Sequence, residues 1–133
     1  MARKIQLGAR ILLGLIYLVF GGMGLAMALG LMTMPEQPAM PPAAMAFMEG
    51  MMGTGYFFPL LKITEVIGGL LLLTGLAAPL SLVILAPVTL HIFLYHAFLT
   101  PGVNEMVLPA VMGLLQIIAM SGYWKKYKPL FSK

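Results

Sequence analysis

Long apolar runs alternate along this chain with short stretches of proline, glycine and polar residues. The runs cover about residues 9–32, 56–77, 80–99 and 106–124. Each is close to the roughly twenty residues with which a helix crosses the hydrocarbon core of a bilayer. They predict an all-α, integral membrane four-helix bundle forming a single domain over 1–133. The first run also permits a cleaved leader reading, with Ala26-Met27-Ala28 as a small-residue cleavage site, but its length suits a span better than a signal core. Small residues recur at four-residue spacing in its second half (Gly22/Ala26, Gly24/Ala28, Ala26/Gly30), a pattern that lets another helix approach closely.

The segment 33–55 is of another kind. Pro35, Pro38, Pro41 and Pro42 interrupt a helix. Prolines at the start and Gly53 at the end then bracket a short helix, which with Phe47 and its methionines is expected to lie along the membrane interface in the first outer loop. Met45, Met48 and Met51 form a thioether ladder of the soft type that suits Cu(I). Methionine is also a common filler of apolar surfaces, so this is a weak metal candidate.

The second run departs from uniform apolarity. It carries Lys62 and Glu65, at i and i+3, which places both on one helix face and within reach of each other. Charges inside a span are expensive and mark functional sites by default. The third run contains Pro87, which should kink it, together with His91, Tyr95 and His96; the fourth contains Gln116. Counted at about 1.5 Å per residue from the outer ends, Glu65, His91 and Gln116 fall about 13–15 Å deep, with Lys62 and His96 above them. His91 and His96 lie about 140° apart around their helix, so both face inward only if its buried arc is wide. That angle also disfavours a b-type haem held by both within one copy of the chain.

Charge sets the orientation. Of the 8 Lys and Arg, Arg3, Lys4 and Arg10 stand before or at the start of the first span and Lys125, Lys126, Lys128 and Lys133 follow the fourth; Glu36, Glu49 and Glu105 lie in the loops between. The positive-inside rule then predicts an inner-membrane protein with both termini cytoplasmic. The basic residues flank spans rather than form a nucleic-acid footprint, and no nucleotide-binding motif is present. With 0 Cys, disulfides, thiolate catalysis and cysteine-ligated clusters are excluded.

Three segments resemble the DoxX family of small four-helix membrane proteins, related to the DoxD-type small subunit of thiosulfate:quinone oxidoreductase. They are A-R-I-L-L-G-L-I-Y-L-V-F-G at 9–21, T-G-Y-F-F-P-L-L-K-I-T-E-V-I-G-G-L-L-L-L-T-G at 54–75, and L-A-P-V-T-L-H-I-F-L-Y-H-A-F-L at 85–99. The middle segment is the most specific. Many members carry a polar or basic residue just after the glycine of the first span, where this chain reads Gly22-Met23-Gly24. The resemblance implies association with membrane redox, sulfur or oxidative-stress systems rather than one settled reaction.

The leading expectation is a membrane subunit of a quinone-linked redox system, with a polar pocket in the outer half of the bundle and a possible redox partner protein. In it Lys62 and His96 would bind a quinone carbonyl or small anion, Glu65 and His91 would handle the proton, and Tyr95 and Gln116 would orient the ligand. The alternatives are a scaffold whose polar groups only fix packing, and a small-molecule or proton pathway; a homo-oligomer is compatible with each. No catalytic nucleophile is evident. A site should be an aromatic-lined, accessible slot, and a scaffold a sealed and fully paired cluster.

Overall fold

The computed structural model describes residues 2–33 and 40–132. Its helices are α1 (Ala2–Ala28), α2 (Pro42–Gly53), α3 (Phe57–Thr74), α4 (Ala78–Phe98), α5 (Val103–Ser121) and the short α6 (Trp124–Tyr127), followed by a 3-10 turn, Lys128–Phe131. Four of them, α1, α3, α4 and α5, are long and apolar enough to cross a membrane. Pro35, Glu36 and Pro38 of the first loop, and Lys133, lie outside the described residues.

Helix boundaries follow local chemistry. The chain enters α2 through Pro41 and Pro42 and leaves it at Gly53, as the proline and glycine punctuation predicts. Helix α3 ends where Gly75 takes a left-handed conformation (φ 79°) and its N–H caps the Leu71 carbonyl, the usual way a helix closes without Cβ strain. The next turn is tight enough that Ala77 is also left-handed, and Pro79 then sits in the first turn of α4, where its missing N–H costs nothing. Both Pro87 in α4 and Pro109 in α5 lie within their helices.

Helix α5 runs Val103–Ser121, three residues earlier than expected at each end, and α1 departs further. Helix α1 begins at Ala2 rather than near residue 9 and ends at Ala28 rather than 32. Its 27 residues span about 40 Å, longer than the roughly 30 Å hydrocarbon core. Arg3 and Lys4 are therefore on the helix itself, beyond the apolar zone, and not in a separate head.

The spanning helices form a ring in which α1 packs on α3, α3 on α4, α4 on α5 and α5 back on α1. The centre is filled by Leu13 and Tyr17 of α1, Leu72 of α3, Leu82 and Leu85 of α4, and Met112 and Ala119 of α5. Large apolar side chains also cover the outside: Leu90 is 58% and Ile117 68% exposed. A surface of this kind is matched to lipid rather than water.

The most extensive seam, α1 on α3, is built on glycine. A Cβ at Gly14 would fall 2.9 Å from the Leu72 Cβ, one at Gly21 2.8 Å from the Glu65 Cβ, and one at Gly24 2.6 Å from the Lys62 side chain. From the α3 side, a Cβ at Gly69 would fall 2.8 Å from both the Gly14 carbonyl oxygen and the Leu18 nitrogen. Of the four-residue pattern anticipated, Gly24 is at the seam and Gly22 is not. Gly22 has open space around it, because the buried face steps through 14, 17, 21 and 24, the heptad-like rhythm of left-handed helix pairs. Opposite the basic termini, α2 rests on α3 and reaches α4 through Phe47, whose ring lies 5.2 Å from His91 and 5.5 Å from Tyr95.

Candidate functional site

Between α2, α3 and α4 lies a cavity of about 410 Å³, open on one side. Its α3 wall carries Phe58, Lys62 and Glu65; its α4 wall carries His91, Tyr95 and His96; Phe47, Met48 and Met51 of α2 cover it. Five of the six polar residues expected to converge do so here. The wide angle between His91 and His96 is no obstacle, because α2 and α3 together extend the cavity around a broad arc of α4.

Lys62 and Glu65 form the polar floor. The Lys62 Nζ stands 3.1 Å from Glu65 Oε2, with the lysine side chain 18% and the glutamate 3% exposed. One helical turn of α3 is enough to bring them together, but burial depends on α1. With no side chains at Gly21 and Gly24, the Glu65 stem and the Lys62 chain lie flat against the α1 backbone. The ammonium also sits 5.4 Å from the Phe58 ring centroid, a distance at which the π face attracts a cation. An isolated buried charge of either sign would be far less tolerable than this pair.

The α4 wall is aromatic. The Tyr95 and His96 rings meet edge to face at 5.1 Å, and Phe47 closes over His91 and Tyr95. His96 Nδ1 is engaged with the Thr100 hydroxyl at 2.8 Å, and Glu105 Oε2 is 3.9 Å away. That leaves Nε2 as its ring nitrogen for the cavity. Among the described residues, neither ring nitrogen of His91 has a hydrogen-bond partner from the protein. Charge and donor capacity thus lie on one side of the space, titratable rings on the other, and thioethers and phenyl rings above.

Gln116 is not brought to this cavity. No residue of α5 lines it, because that helix stands between α4 and α1 on the other side of the ring. There Gln116 is buried in a separate chain of hydrogen bonds: Tyr17 donates to Thr89, Thr89 donates to Gln116 Oε1 at 3.0 Å, and Gln116 Nε2 donates to the Leu82 carbonyl at 2.7 Å. This ties α1, α4 and α5 across the bundle, and Ser81 ties α4 to α3 through the Gly68 carbonyl at 2.8 Å. Sequence reasoning passed over Tyr17 and Thr89, because one tyrosine and one threonine in an apolar helix give no sign of each other. Their signal is polarity at residues that fall, by helical rotation, on the interior face. The methionine ladder also divides. Met48 and Met51 line the cavity, whereas Met45 is exposed and does not. No group of three or more His, Asp or Glu gathers as a metal site among the described residues.

No family model matches the chain, and no curated protein or solved structure matches it.

Proposed function

We propose that the outer cavity binds a small, flat, partly polar molecule of the quinone class, and that the chain is a DoxX-type membrane subunit in quinone-linked redox chemistry. The observation that carries this reading is the make-up of the cavity: a buried Lys62–Glu65 pair as its floor, imidazole and phenol groups on one wall, and phenyl and thioether groups over it. Small-molecule sites are typically concave and mostly apolar, about 300–1,000 Å³ in size, with a few convergent polar groups. A scaffold cluster would be sealed and fully paired. This one is open, and His91 is exposed within it.

In the proposed role, Lys62 and His96 Nε2 donate hydrogen bonds to a ring carbonyl. Glu65, held beside Lys62, and His91 take up or release the protons that accompany a change in oxidation state. A partner protein or a second quinone supplies or removes the electrons. Gln116 belongs to packing rather than to the ligand. The charge distribution orients the chain in the cell membrane with its basic ends cytoplasmic and the cavity outside. Because the chain has 0 Cys, single cysteines at Gly50 and Ser132 report this directly: an impermeant thiol reagent should label the first and spare the second in intact cells.

Two variants and a lipid extract test the site. Lys62→Met strands a buried carboxylate and should destabilise the bundle, whereas Lys62→Met with Glu65→Leu removes the pair and should largely restore stability. If the pair serves a ligand, the restored double variant purifies with far less quinone than wild type. A stable double variant with undiminished quinone would refute the site.

A further inference from the structure

At the opposite end, the first turns of α1 and the segment after α5 enclose a second cavity of about 730 Å³. Arg3, Gln6 and Arg10 line it from α1, and Tyr123, Lys125 and Lys126 from the other side. Four cations therefore face one space. The chain has 4 acidic residues, Glu36, Glu49, Glu65 and Glu105. Glu65 is committed to Lys62, and Glu49 on α2 and Glu105 in the first turn of α5 lie at the far end of the spans. Among the described residues, no side-chain carboxylate lines the basic cavity.

Arg10 is its most constrained member. Its guanidinium tucks beneath the end of α3, 3.2–3.5 Å from where a Cβ at Gly75 would stand, and donates to the Tyr123 hydroxyl at 3.1 Å. Its Nε is buried and, among the described residues, has no hydrogen-bond partner. A buried charged donor left unmatched is costly. The wall around it is prearranged: Gln6 donates to Ser121 at 3.0 Å, and Gly122 leaves room for Gln6 that a Cβ would take.

We infer that this cavity is a binding site for the phosphodiester headgroup of an anionic phospholipid. Phosphate supplies the acceptors that arginine and lysine donors require, and basic pockets at the ends of spanning helices are suited to such headgroups. The position favours lipid over a free anion. Leu7, 45% exposed, lines the cavity and leads onto the apolar outer face of α1, where an acyl chain can run. Trp124, 55% exposed and stacked on Phe131, stands at the rim as aromatic residues do at membrane interfaces. With no carboxylate among the described residues that line it and four cations around the space, a choline or ethanolamine ammonium is repelled, so the site discriminates against zwitterionic lipids. This inference does not depend on the quinone reading.

The test uses the full chain in neutral detergent, with phosphatidylglycerol, phosphatidylcholine or inorganic phosphate added at equal concentration. Native mass spectrometry should show phosphatidylglycerol retained at collision energies that strip phosphatidylcholine, and phosphatidylglycerol alone should raise the melting temperature. Lys125→Gln with Lys126→Gln changes two exposed side chains and should leave the unliganded protein's melting temperature unchanged while weakening phosphatidylglycerol binding at least tenfold. Arg10→Gln should abolish preferential retention; if it does not fold, the double lysine variant decides. Equal retention of the two lipids, an equal thermal shift from inorganic phosphate, or unweakened binding by the double variant would overturn the inference.

Discussion

Alanine at Gly21 and at Gly24 should have opposite consequences, although both glycines lie on one face of α1 within one helical turn. A methyl group at 21 meets main chain: the Val66 nitrogen at 3.1 Å and the Glu65 carbonyl carbon at 3.3 Å, besides the Glu65 Cβ at 2.8 Å. None of these moves unless α3 moves, so the overpacking should cost about 1–3 kcal/mol. The gain from replacing glycine by alanine in a helix offsets at most about 1 kcal/mol of this. With a cost near the middle of that range, Gly21→Ala should lose about 1 kcal/mol or more net. A methyl group at 24 meets first the Lys62 side chain, its Cδ and Cε at 2.6 Å and its Cγ at 3.1 Å. That chain is flexible and swings away at little cost, so Gly24→Ala should be as stable as wild type or slightly more so. It shifts the Lys62 ammonium within the cavity while leaving Glu65, 3.1 Å away in the wild type, within its reach, and should reduce quinone retention. Reversible unfolding in mixed micelles with increasing dodecyl sulfate, alongside quinone content, measures both effects. If Gly24→Ala proves less stable than Gly21→Ala, or if Gly21→Ala is neutral, the account of the α1–α3 seam is wrong.

Gln116→Leu should cost about 1–3 kcal/mol by leaving Thr89 without its acceptor while quinone retention stays at the wild-type level; a selective loss of ligand would return Gln116 to the site. Phe47→Ala should free α2 from His91 and Tyr95, seen as faster amide exchange over residues 42–53 and weaker ligand retention with little change in bundle stability; unchanged exchange would show that Phe47 does not hold α2 down. Tyr127 is 7% exposed, its hydroxyl donates to the Pro79 carbonyl at 2.7 Å, and burial, with Tyr123 nearby, pushes its pKa up to about 12. The neutral phenol is the form the fold prefers, so this contribution is complete below about pH 10 and is lost as pH rises towards about 12. Trp124 fluorescence should report release of the tail in that window, and Tyr127→Phe should remove this part of the pH dependence; an identical titration in the variant would assign the release to the lysines.

The spans were legible because lipid asks for little beyond length and apolarity, and Pro41, Pro42, Gly53 and Gly75 mark boundaries by backbone chemistry that any sequence displays. The pairing of Lys62 with Glu65 was legible for the same local reason, since three residues along a helix fix the geometry. What a uniformly apolar helix conceals is its rotation. Neither the choice of Gly14, Gly21 and Gly24 over Gly22, nor the link from Tyr17 to Thr89, is encoded within one helix; each is decided by the neighbour. Gln116 was misplaced because depth alone does not say which neighbour a side chain meets: α5 packs on α4 and α1 and lines no part of the cavity.

The glycine-lined groove also bears on how the protein enters its membrane. Helix α3 is only 18 residues long and brings two charges with it, each costing about 2.5–3.5 kcal/mol at the centre of a span inserted alone. Helix α1 carries no charge after Arg10 and is made first, so it can await α3 in the bilayer with its groove already formed. Partition of α3 from the translocation channel is then a transfer onto another helix rather than into bare lipid. Substitutions that fill the groove should consequently show themselves during synthesis, as α3 slipping back out of the bilayer, before any assay of the finished protein could detect them.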